Sequence, residues 1–499
     1  MASTTSPKKP KKAAGHAGHT QDAGTSALAG AFERPIKVTV IGAGSGFTPR
    51  LLNDILRTPG EAGGTLALVD IDRERLDTMV RVIRRLVTEL GKGNWTVEAS
   101  LDRRKVLPGT DYLINTIEVS GVDCVRWDND IPLKYGIDQC IGDTIGPGGL
   151  FKALRTIPVW IGILRDCADL APQAMVLNYT NPMAMLCTAA ARTSPLPVVG
   201  LCHSVQGTSR LLAHNAQVPY EEMRWECAGI NHLAWFTRLE HKGRDLYPSL
   251  KEEFRRQTAL AMEDFDAGRV PPECLGAQDM PEKAPPHCWD LVRKDMCVHF
   301  GAFITESSGH LSEYLPYYRK SRAGRKLLRA GYEGGSRFYA SNWPQWREKA
   351  DATRRAMVSG EEPVQWERSW EYASWIIEAR EKNTPWRFHG NVPNTVGGGG
   401  RLITNLPDNA CVEVACLVDA NGIQPVRYGA LPPHMAALCA ANLAVFDLGA
   451  QAAIERSKEM AIHALMLDPL TAAVCTPAQI EAMALEMFAA EEAFLPGYR

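Results

Sequence analysis

The chain has 499 residues, a length that exceeds one typical domain and predicts two domains around substantial cores. Hydrophobic residues make up 45% of the chain and charged residues 22%, which is ordinary for a water-soluble globular protein. The formal net charge of −2 lacks the lysine and arginine excess that neutralises nucleic-acid phosphates, so we expect no nucleic-acid partner.

The N-terminal residues 1–34 are rich in Lys, Ala, Gly, Ser, Thr and His and contain no apolar stretch typical of a secretory signal. This composition predicts a disordered tail. No uninterrupted apolar run approaches the length of a membrane-spanning helix, so we expect no membrane partner. The 13 cysteines are scattered without pair spacing, which predicts free thiols and a cytoplasmic location.

From residue 35 onward, strand-like apolar runs alternate with helix-like segments, the pattern of parallel βαβ units. KVTVIGAG predicts the first strand, TPRLLNDILRT the helix after it, and TLALVD the second strand. The runs YLINTIEV, AMVLNYTNP and PVVGLCHS predict three further strands. Together they indicate an α/β fold in which residues 35–202 form a Rossmann-like, doubly wound sheet.

After residue 202 the alternation loses its regularity, which predicts a second, mixed α+β domain over residues 203–499. WECAGINHLAWF predicts a strand and a turn, and residues 251–266 and 432–494 predict helices. The four glycines 397–400 predict a connecting loop, because no helix start follows them.

The glycine loop in VIGAGSGF places Gly42, Gly44 and Gly46 between a strand and a helix, as in dinucleotide-binding sites. A complete fingerprint would have glycine where this chain has Phe47. Asp70 ends the second strand, where a carboxylate binds the ribose hydroxyls of NAD and repels a 2′-phosphate. NAD is therefore favoured over NADP, and a glycine turn that binds no dinucleotide is the alternative.

Polar side chains also follow the later strands of the predicted sheet. Cys202 and His203 come directly after PVVGL, and Asn178 and Asn181 lie in NYTNP at another strand end. His232 in GINHLAW adds an imidazole. A thiolate, an imidazole and amides that converge from strand ends suit a divalent metal. Taken alone, Cys202 is more typical of a buried core residue than of a ligand, and His232 is also typical of a core or a turn.

These motifs resemble those of glycoside hydrolase family four, and the match runs from about residue 36 almost to the C-terminus. It comprises VIGAGS with LVDID, NYTNPM, CHSVQGT, AGINH, TESSGHLSEY, and NLPDNACVEV with LVDANGI. The resemblance implies NAD, a divalent metal that is usually manganese, a small-molecule glycoside substrate and a lactate-dehydrogenase-like C-terminal domain. By position it implies Cys202 and His232 as metal ligands and Asn181 at the sugar, and the strand-end position of Asn178 predicts it as a second substrate residue.

The tetrad CHSV resembles the α-galactosidase group of that family, and the family's habit implies a homodimer or homotetramer. The implied reaction oxidises C3 with NAD, removes the C2 proton, eliminates the aglycone, adds water and returns the hydride. Asp143 in IGDTIGPGG is the predicted proton donor to the leaving oxygen, with His203 as its partner or as the donor itself. A turn or cap aspartate is the alternative for Asp143.

The C2 base is the point at which the resemblance fails. Family members have a Tyr or Asp at the position that corresponds to Ser307, so we predict the neighbouring Glu306 as the base. His310 and Tyr314 lie behind it in the sequence.

Three alternative functions use overlapping features. An α-galacturonidase or α-glucosidase of the same family would have the same machinery. An NAD-dependent hydroxy-acid dehydrogenase would share the Rossmann half but would not need Cys202 and His232 as metal ligands. A catalytically silent NAD-binding sensor would be free to lose Cys202, which this chain retains.

Overall fold

The computed structural model describes residues 27–269, 285–395 and 399–499. A single mixed sheet runs through this part of the chain and helices pack around it. In chain order its strands are β1 (Ile36–Ile41), β2 (Gly64–Val69), β3 (Trp95–Ser100), β4 (Tyr112–Asn115), β5 (Met175–Asn178), β6 (Val198–Gly200), β7 (Met223–Ile230), β8 (Leu233–His241), β9 (Arg244–Asp245), β10 (Phe303–Ile304), β11 (Trp386–Pro393), β12 (Cys411–Asp419) and β13 (Gly422–Pro425).

The helices alternate with the first strands and cluster toward the C-terminus. They are α1 (Thr48–Leu56), α2 (Arg73–Glu89), α3 (Asp123–Lys134), α4 (Gly146–Leu170), α5 (Met183–Thr193), α6 (Ser204–Asn215), α7 (Tyr247–Asp266), α8 (Leu291–Phe300), α9 (Ser308–Tyr314), α10 (Arg322–Arg325), α11 (Phe338–Ser359), α12 (Tyr372–Glu381), α13 (Pro433–Glu455), α14 (Lys458–Leu467), α15 (Pro469–Val474) and α16 (Pro477–Ala490). The predicted helical regions 251–266 and 432–494 are confirmed.

The first six strands are parallel and lie in the order β3-β2-β1-β4-β5-β6, as in a Rossmann sheet. The predicted Rossmann-like architecture is therefore confirmed. The sequence missed β3, an edge strand whose pattern WTVEAS alternates and is only partly buried. The carboxyl ends of β1, β4, β5 and β6 point to one edge, where ligands of such sheets bind.

The remaining strands extend the same sheet in antiparallel fashion. β11 pairs with β6 through Asn391 and Gly200, and the order continues β12, β7, β8, β10. β7 and β8 form the predicted strand-and-turn unit, with Asn231 and His232 at the turn. The sheet is thus continuous across residue 202, and the division into domains 35–202 and 203–499 stays a prediction.

Two of the predicted segments lie partly outside the described residues. Residues 1–26 of the predicted tail lie outside the described residues, but residues 27–34 contact the fold. Phe32 is buried and its N–H donates to the Gly60 carbonyl, while the Leu28 N–H donates to Glu378. Of the predicted glycine loop, residues 397 and 398 lie outside the described residues.

Helix α13 is long and apolar enough, by length and composition alone, to cross a membrane, although polar residues such as Asn442 and Asp447 interrupt it. The helix packs against α4, α5 and α14, and side chains such as Leu443 and Phe446 are buried there. It is therefore a core helix, whose apolar character reflects contact with other helices.

Candidate active site

The glycine loop follows β1 and precedes α1, as the sequence predicted. Gly42 has φ +84°, and a Cβ atom there would lie 2.7 Å from the backbone of Thr116. Gly44 donates its N–H to the Asp70 carboxylate at 2.7 Å. A Cβ atom on Gly44 would lie 2.8 Å from the same carboxylate, so both positions require glycine. The backbone is thereby open to a close ligand.

The start of α1 faces this loop, so the positive end of its dipole favours an anion such as pyrophosphate. Phe47, which replaces the third fingerprint glycine, is 55% exposed and directly precedes α1. Gly46 has open space around it, since a Cβ atom there would lie 3.8 Å from its nearest neighbour, a guanidinium nitrogen of Arg354. Arg354 belongs to α11, which also contributes Asp351 as the partner of Arg75 beside the loop.

Cys202 and His232 come together at the edge of the sheet although 30 residues separate them. The Cys202 Sγ atom lies 3.5 Å from the His232 Nε2 atom. Cys202 follows β6, and His232 is held in the β7–β8 turn with a left-handed φ of +62°. A non-glycine residue in this conformation is strained, and such strain concentrates at functional sites.

The environment of His232 keeps its imidazole neutral. Burial, aided by the neighbouring His310, lowers the pKa of His232 to about 4. Burial also raises the pKa of the Cys202 thiol, with Glu413 and Glu306 as further causes. A neutral imidazole and a thiol that needs a cation to ionise are the groups expected where a metal binds.

Asp143 and Asn181 are also in contact, because the Asn181 Nδ2 atom donates to Asp143 at 3.0 Å. The second oxygen of Asp143 is buried and has no partner among the described residues. Asn178 differs from the prediction, because its amide bonds to Asn115 and to the Thr180 carbonyl and it is fully buried. Asn178 therefore shapes the NYTNP turn and leaves Asn181 as the available amide.

Glu306 lies beside His310, with 3.8 Å between its Oε2 atom and the His310 Nε2 atom. Its backbone is left-handed at φ +74°, which turns the side chain toward the cluster in a strained geometry. Burial opposes ionisation of Glu306, but His310 and His232 lower its pKa below the usual value. The His310 ring centroid lies 4.4 Å from that of His232, so Glu306 belongs to the same cluster.

His203 and Asp143 have different partners. The His203 Nδ1 atom lies 3.5 Å from Glu371, and its ring packs edge-on against Trp370 at 5.7 Å. No direct contact joins His203 to Asp143 in the described part of the chain. The two candidate proton donors therefore occupy separate positions around Cys202.

Sequence reasoning missed two residues that support Asp143. Glu313 of α9 accepts the backbone N–H groups of Cys140 at 2.6 Å and Ile141 at 2.7 Å. Lys152 of α4 is buried, and although burial opposes its charge, Glu118 and Asp143 raise its pKa. The motif TESSGHLSEY contains Glu313, but nothing in it identifies a partner that lies 173 residues away.

Several buried polar atoms around the cluster lack a partner among the described residues. Both amide atoms of Asn231, beside His232, and the Glu413 Oε2 atom accept or donate no hydrogen bond in the described part of the chain, and the Glu306 Oε2 atom has only its ion pair with His310. Burial raises the pKa of Glu413 to about 8. Unsatisfied buried polar groups are costly, so their concentration in one place indicates a site for a polar ligand.

Two family models match this chain. The model described as family 4 glycosyl hydrolase matches residues 37–218. The model described as family 4 glycosyl hydrolase C-terminal domain matches residues 227–471. Together they account for most of the chain, including every residue of the cluster around Cys202.

Curated relatives agree with these matches. The alpha-galactosidase of Bacillus subtilis (strain 168) is 36% identical over 467 residues, which are 93% of this chain and 100% of the relative. The alpha-galactosidase of Rhizobium meliloti (strain 1021) is also 36% identical, over 470 residues that are 93% of this chain and 89% of the relative.

A solved structure extends the comparison to the fold. A 6-phospho-alpha-glucosidase from gut microorganisms, crystallised with NAD and Mn²⁺, matches with a TM-score of 0.73 and 23% identity over 93% of this chain and 100% of its own. This similarity confirms the predicted fold class, a Rossmann-like sheet with a mixed α+β C-terminal part. With both family models matched in order, the chain belongs to glycoside hydrolase family 4.

Proposed function

We propose that the chain is an α-galactosidase that uses NAD and a divalent metal, with manganese as the first candidate. The observation that carries the proposal is the approach of Cys202 to His232 at 3.5 Å, beside Asp143, Asn181 and Glu306. Two α-galactosidases at 36% identity support the sugar, and α-galacturonides and α-glucosides are the alternatives within the family.

The glycine loop supports NAD as the dinucleotide. Gly42 and Gly44 leave room for a pyrophosphate at the start of α1, and Gly46 with Phe47 completes the loop. Asp70 holds the loop through Gly44 and has a second carboxylate oxygen that accepts the Asp72 N–H. A carboxylate at this point accepts ribose hydroxyls and disfavours a 2′-phosphate.

The distance between Cys202 and His232 fits a shared metal ion. The Cys202 Sγ and His232 Nε2 atoms lie 3.5 Å apart, close enough for one ion to contact both. Cys202 and His232 would hold the ion, and the polar groups of the substrate and water would complete its coordination.

When bound, NAD supplies reversible oxidation at C3 of the sugar and the metal supplies Lewis-acid stabilisation of negative charge. The protein side chains supply proton transfer. We assign Asp143, oriented by Asn181, as the acid at the leaving oxygen, and His203 as the alternative donor. Glu306 is the base that removes the C2 proton, and the adjacent His310 can accept that proton from Glu306.

The tetrad that contains Cys202 supports an unphosphorylated sugar, because its side chains include no arginine or lysine. The residues after Cys202 are His203, Ser204 and Val205, and His203 is already directed at Glu371. Arginine and lysine, the side chains that bind phosphate most strongly, do not occur in this tetrad. We further propose a cytoplasmic homodimer or homotetramer, and free thiols such as those of Cys202 and Cys227 support a reducing location.

A panel of nitrophenyl α-glycosides tests the proposal directly. Purified protein with NAD, manganese and a reducing agent should release nitrophenol from the α-galactoside faster than from the α-galacturonide or α-glucoside. Omission of NAD or addition of a chelator should abolish release. If another glycoside is hydrolysed fastest, its sugar is the substrate and the galactoside assignment is wrong. Hydrolysis independent of NAD would refute the proposed function.

A further inference from the structure

A second cavity, of about 410 Å³, lies against the sheet next to α6. Its walls are strongly aromatic and include Trp225 of β7, Trp386 of β11 and Trp370 before α12. Small-molecule sites typically enclose about 300–1,000 Å³. Aromatic faces of this kind bind a flat or sugar ring by stacking.

This cavity lies beside the Cys202–His232 cluster and extends away from it along β7. Trp225 and His232 are seven residues apart along β7 and its turn, which corresponds to roughly 20 Å at about 3.3 Å per residue. Arg387 and His389 lie on β11, which β12 separates from β7 in the sheet, and they precede Asn391, which pairs with the end of β6. The two sites are linked by Trp370, whose ring contacts His203 at 5.7 Å.

Three guanidinium groups surround the cavity without a carboxylate partner among the described residues: those of Arg210, Arg224 and Arg387. Arg210 lies over the Tyr220 ring at 4.8 Å, and Arg387 lies over the Trp225 ring at 5.5 Å. Such a concentration of unpaired arginine charge is suited to a phosphate, which the planar guanidinium binds through two parallel hydrogen bonds.

Two buried polar atoms among the lining residues also lack a partner in the described part of the chain. The Nε2 atom of His389 is one, although its ring is only 3% exposed and stacks on Trp225 at 5.2 Å. The Oε1 atom of Gln206 is the other. Buried polar groups are normally satisfied, so these two atoms indicate a missing hydrogen-bonding ligand.

We propose that this cavity binds a small ring-bearing phosphate. Its ring packs against the aromatic walls of the cavity, and its phosphate lies against the unpaired arginines. The unsatisfied atoms of His389 and Gln206 supply hydrogen bonds to the same ligand. Neither the hydrolytic reaction nor the family comparison requires such a site.

Binding can be measured on the holoenzyme with NAD and manganese held at saturation, so that the dinucleotide site is filled. AMP, galactose 6-phosphate and inorganic phosphate are titrated separately, with tryptophan fluorescence and calorimetry as readouts. We expect AMP or the sugar phosphate to quench the fluorescence and to bind at least about tenfold more tightly than inorganic phosphate. Preference for AMP identifies base stacking, and preference for the sugar phosphate identifies a sugar ring.

Arginine variants show whether the binding occurs in this cavity. Arg210→Ala and Arg387→Ala should each weaken binding by about tenfold or more, because each removes a charged phosphate contact. Arg256→Ala is the matched control, since Arg256 pairs with Glu253 on the surface of α7. Retained hydrolysis of nitrophenyl α-galactoside shows that each variant is folded. Failure of all three ligands to bind, or binding unaffected by both cavity variants, would overturn the proposal.

Discussion

The carboxylate of Glu313 accepts the backbone N–H of Gly142, the residue directly before Asp143. The same carboxylate is 1% exposed and also accepts the N–H groups of Cys140 and Ile141. Helix α9 therefore fixes the loop that carries the proposed acid. Glu313 acts through that loop, so it is a positioning residue.

Glu313→Gln should lower kcat by roughly ten- to a hundredfold, because hydrogen bonds to a charged group contribute about 1.5–3 kcal/mol. KM should change little, since the sugar-binding groups remain. Steady-state kinetics together with manganese content and thermal unfolding measure the effect. The exposed Glu263→Gln on α7 is the matched control. An unaltered kcat in a folded Glu313→Gln variant would remove the positioning role.

Cys202→Ala should abolish hydrolysis and reduce bound manganese, while NAD binding persists at the distant glycine loop. Metal analysis after gel filtration and a fluorescence titration with NADH measure the two properties separately. Cys475→Ala is the control, because among the described residues Cys475 donates to the Tyr135 carbonyl and contacts no member of the cluster. Wild-type activity of Cys202→Ala in the presence of chelator would refute the assignment of Cys202 as a metal ligand.

Gly44→Ala should weaken NAD binding, since the added methyl group would meet the Asp70 carboxylate at 2.8 Å and displace it. A loss of roughly tenfold or more in NAD affinity is expected, with the manganese content unchanged. Gly93→Ala provides the comparison, because no atom lies within 4 Å of a methyl group there. Equal NAD affinities of the two variants would show that the loop does not contact the dinucleotide.

The unphosphorylated α-galactoside should be hydrolysed in preference to its 6-phosphate, because His203 and Ser204 provide no phosphate clamp beside Cys202. The ratio of kcat/KM values for the two substrates is the measurement. Exclusive hydrolysis of the 6-phosphoglycoside would show that the tetrad CHSV has been misinterpreted.

The strands of the Rossmann half were predictable because each is a short apolar run next to a glycine, an aspartate or a polar motif. β3 was missed, since an edge strand buries only one face and lacks the continuous apolar run of its neighbours. Composition alone predicted that residues 27–34 belong to the tail. Composition does not indicate tertiary contacts, and in the structure Phe32 of this segment is buried.

The grouping of Cys202 with His232 was predictable because both follow strands that end at one edge of the sheet. The left-handed backbone of His232 and Glu306 was not predictable, because histidine and glutamate are not typical of a positive φ. The support of Asp143 by Glu313 depends on a contact over about 170 residues of sequence, which a local pattern cannot encode. For Asn178, the motif identified the turn but did not distinguish a ligand from a structural amide.

The central claim is that cleavage proceeds through removal of the C2 proton and not by direct displacement at C1. Hydrolysis of nitrophenyl α-galactoside in deuterated water, followed by NMR of the released galactose, tests it most directly. Because Glu306 exchanges its proton with solvent before the C2 position is reprotonated, the product should carry deuterium at C2. NAD should be required only in catalytic amount and no NADH should accumulate. Galactose without deuterium at C2, formed at full rate in the absence of NAD, would contradict the account.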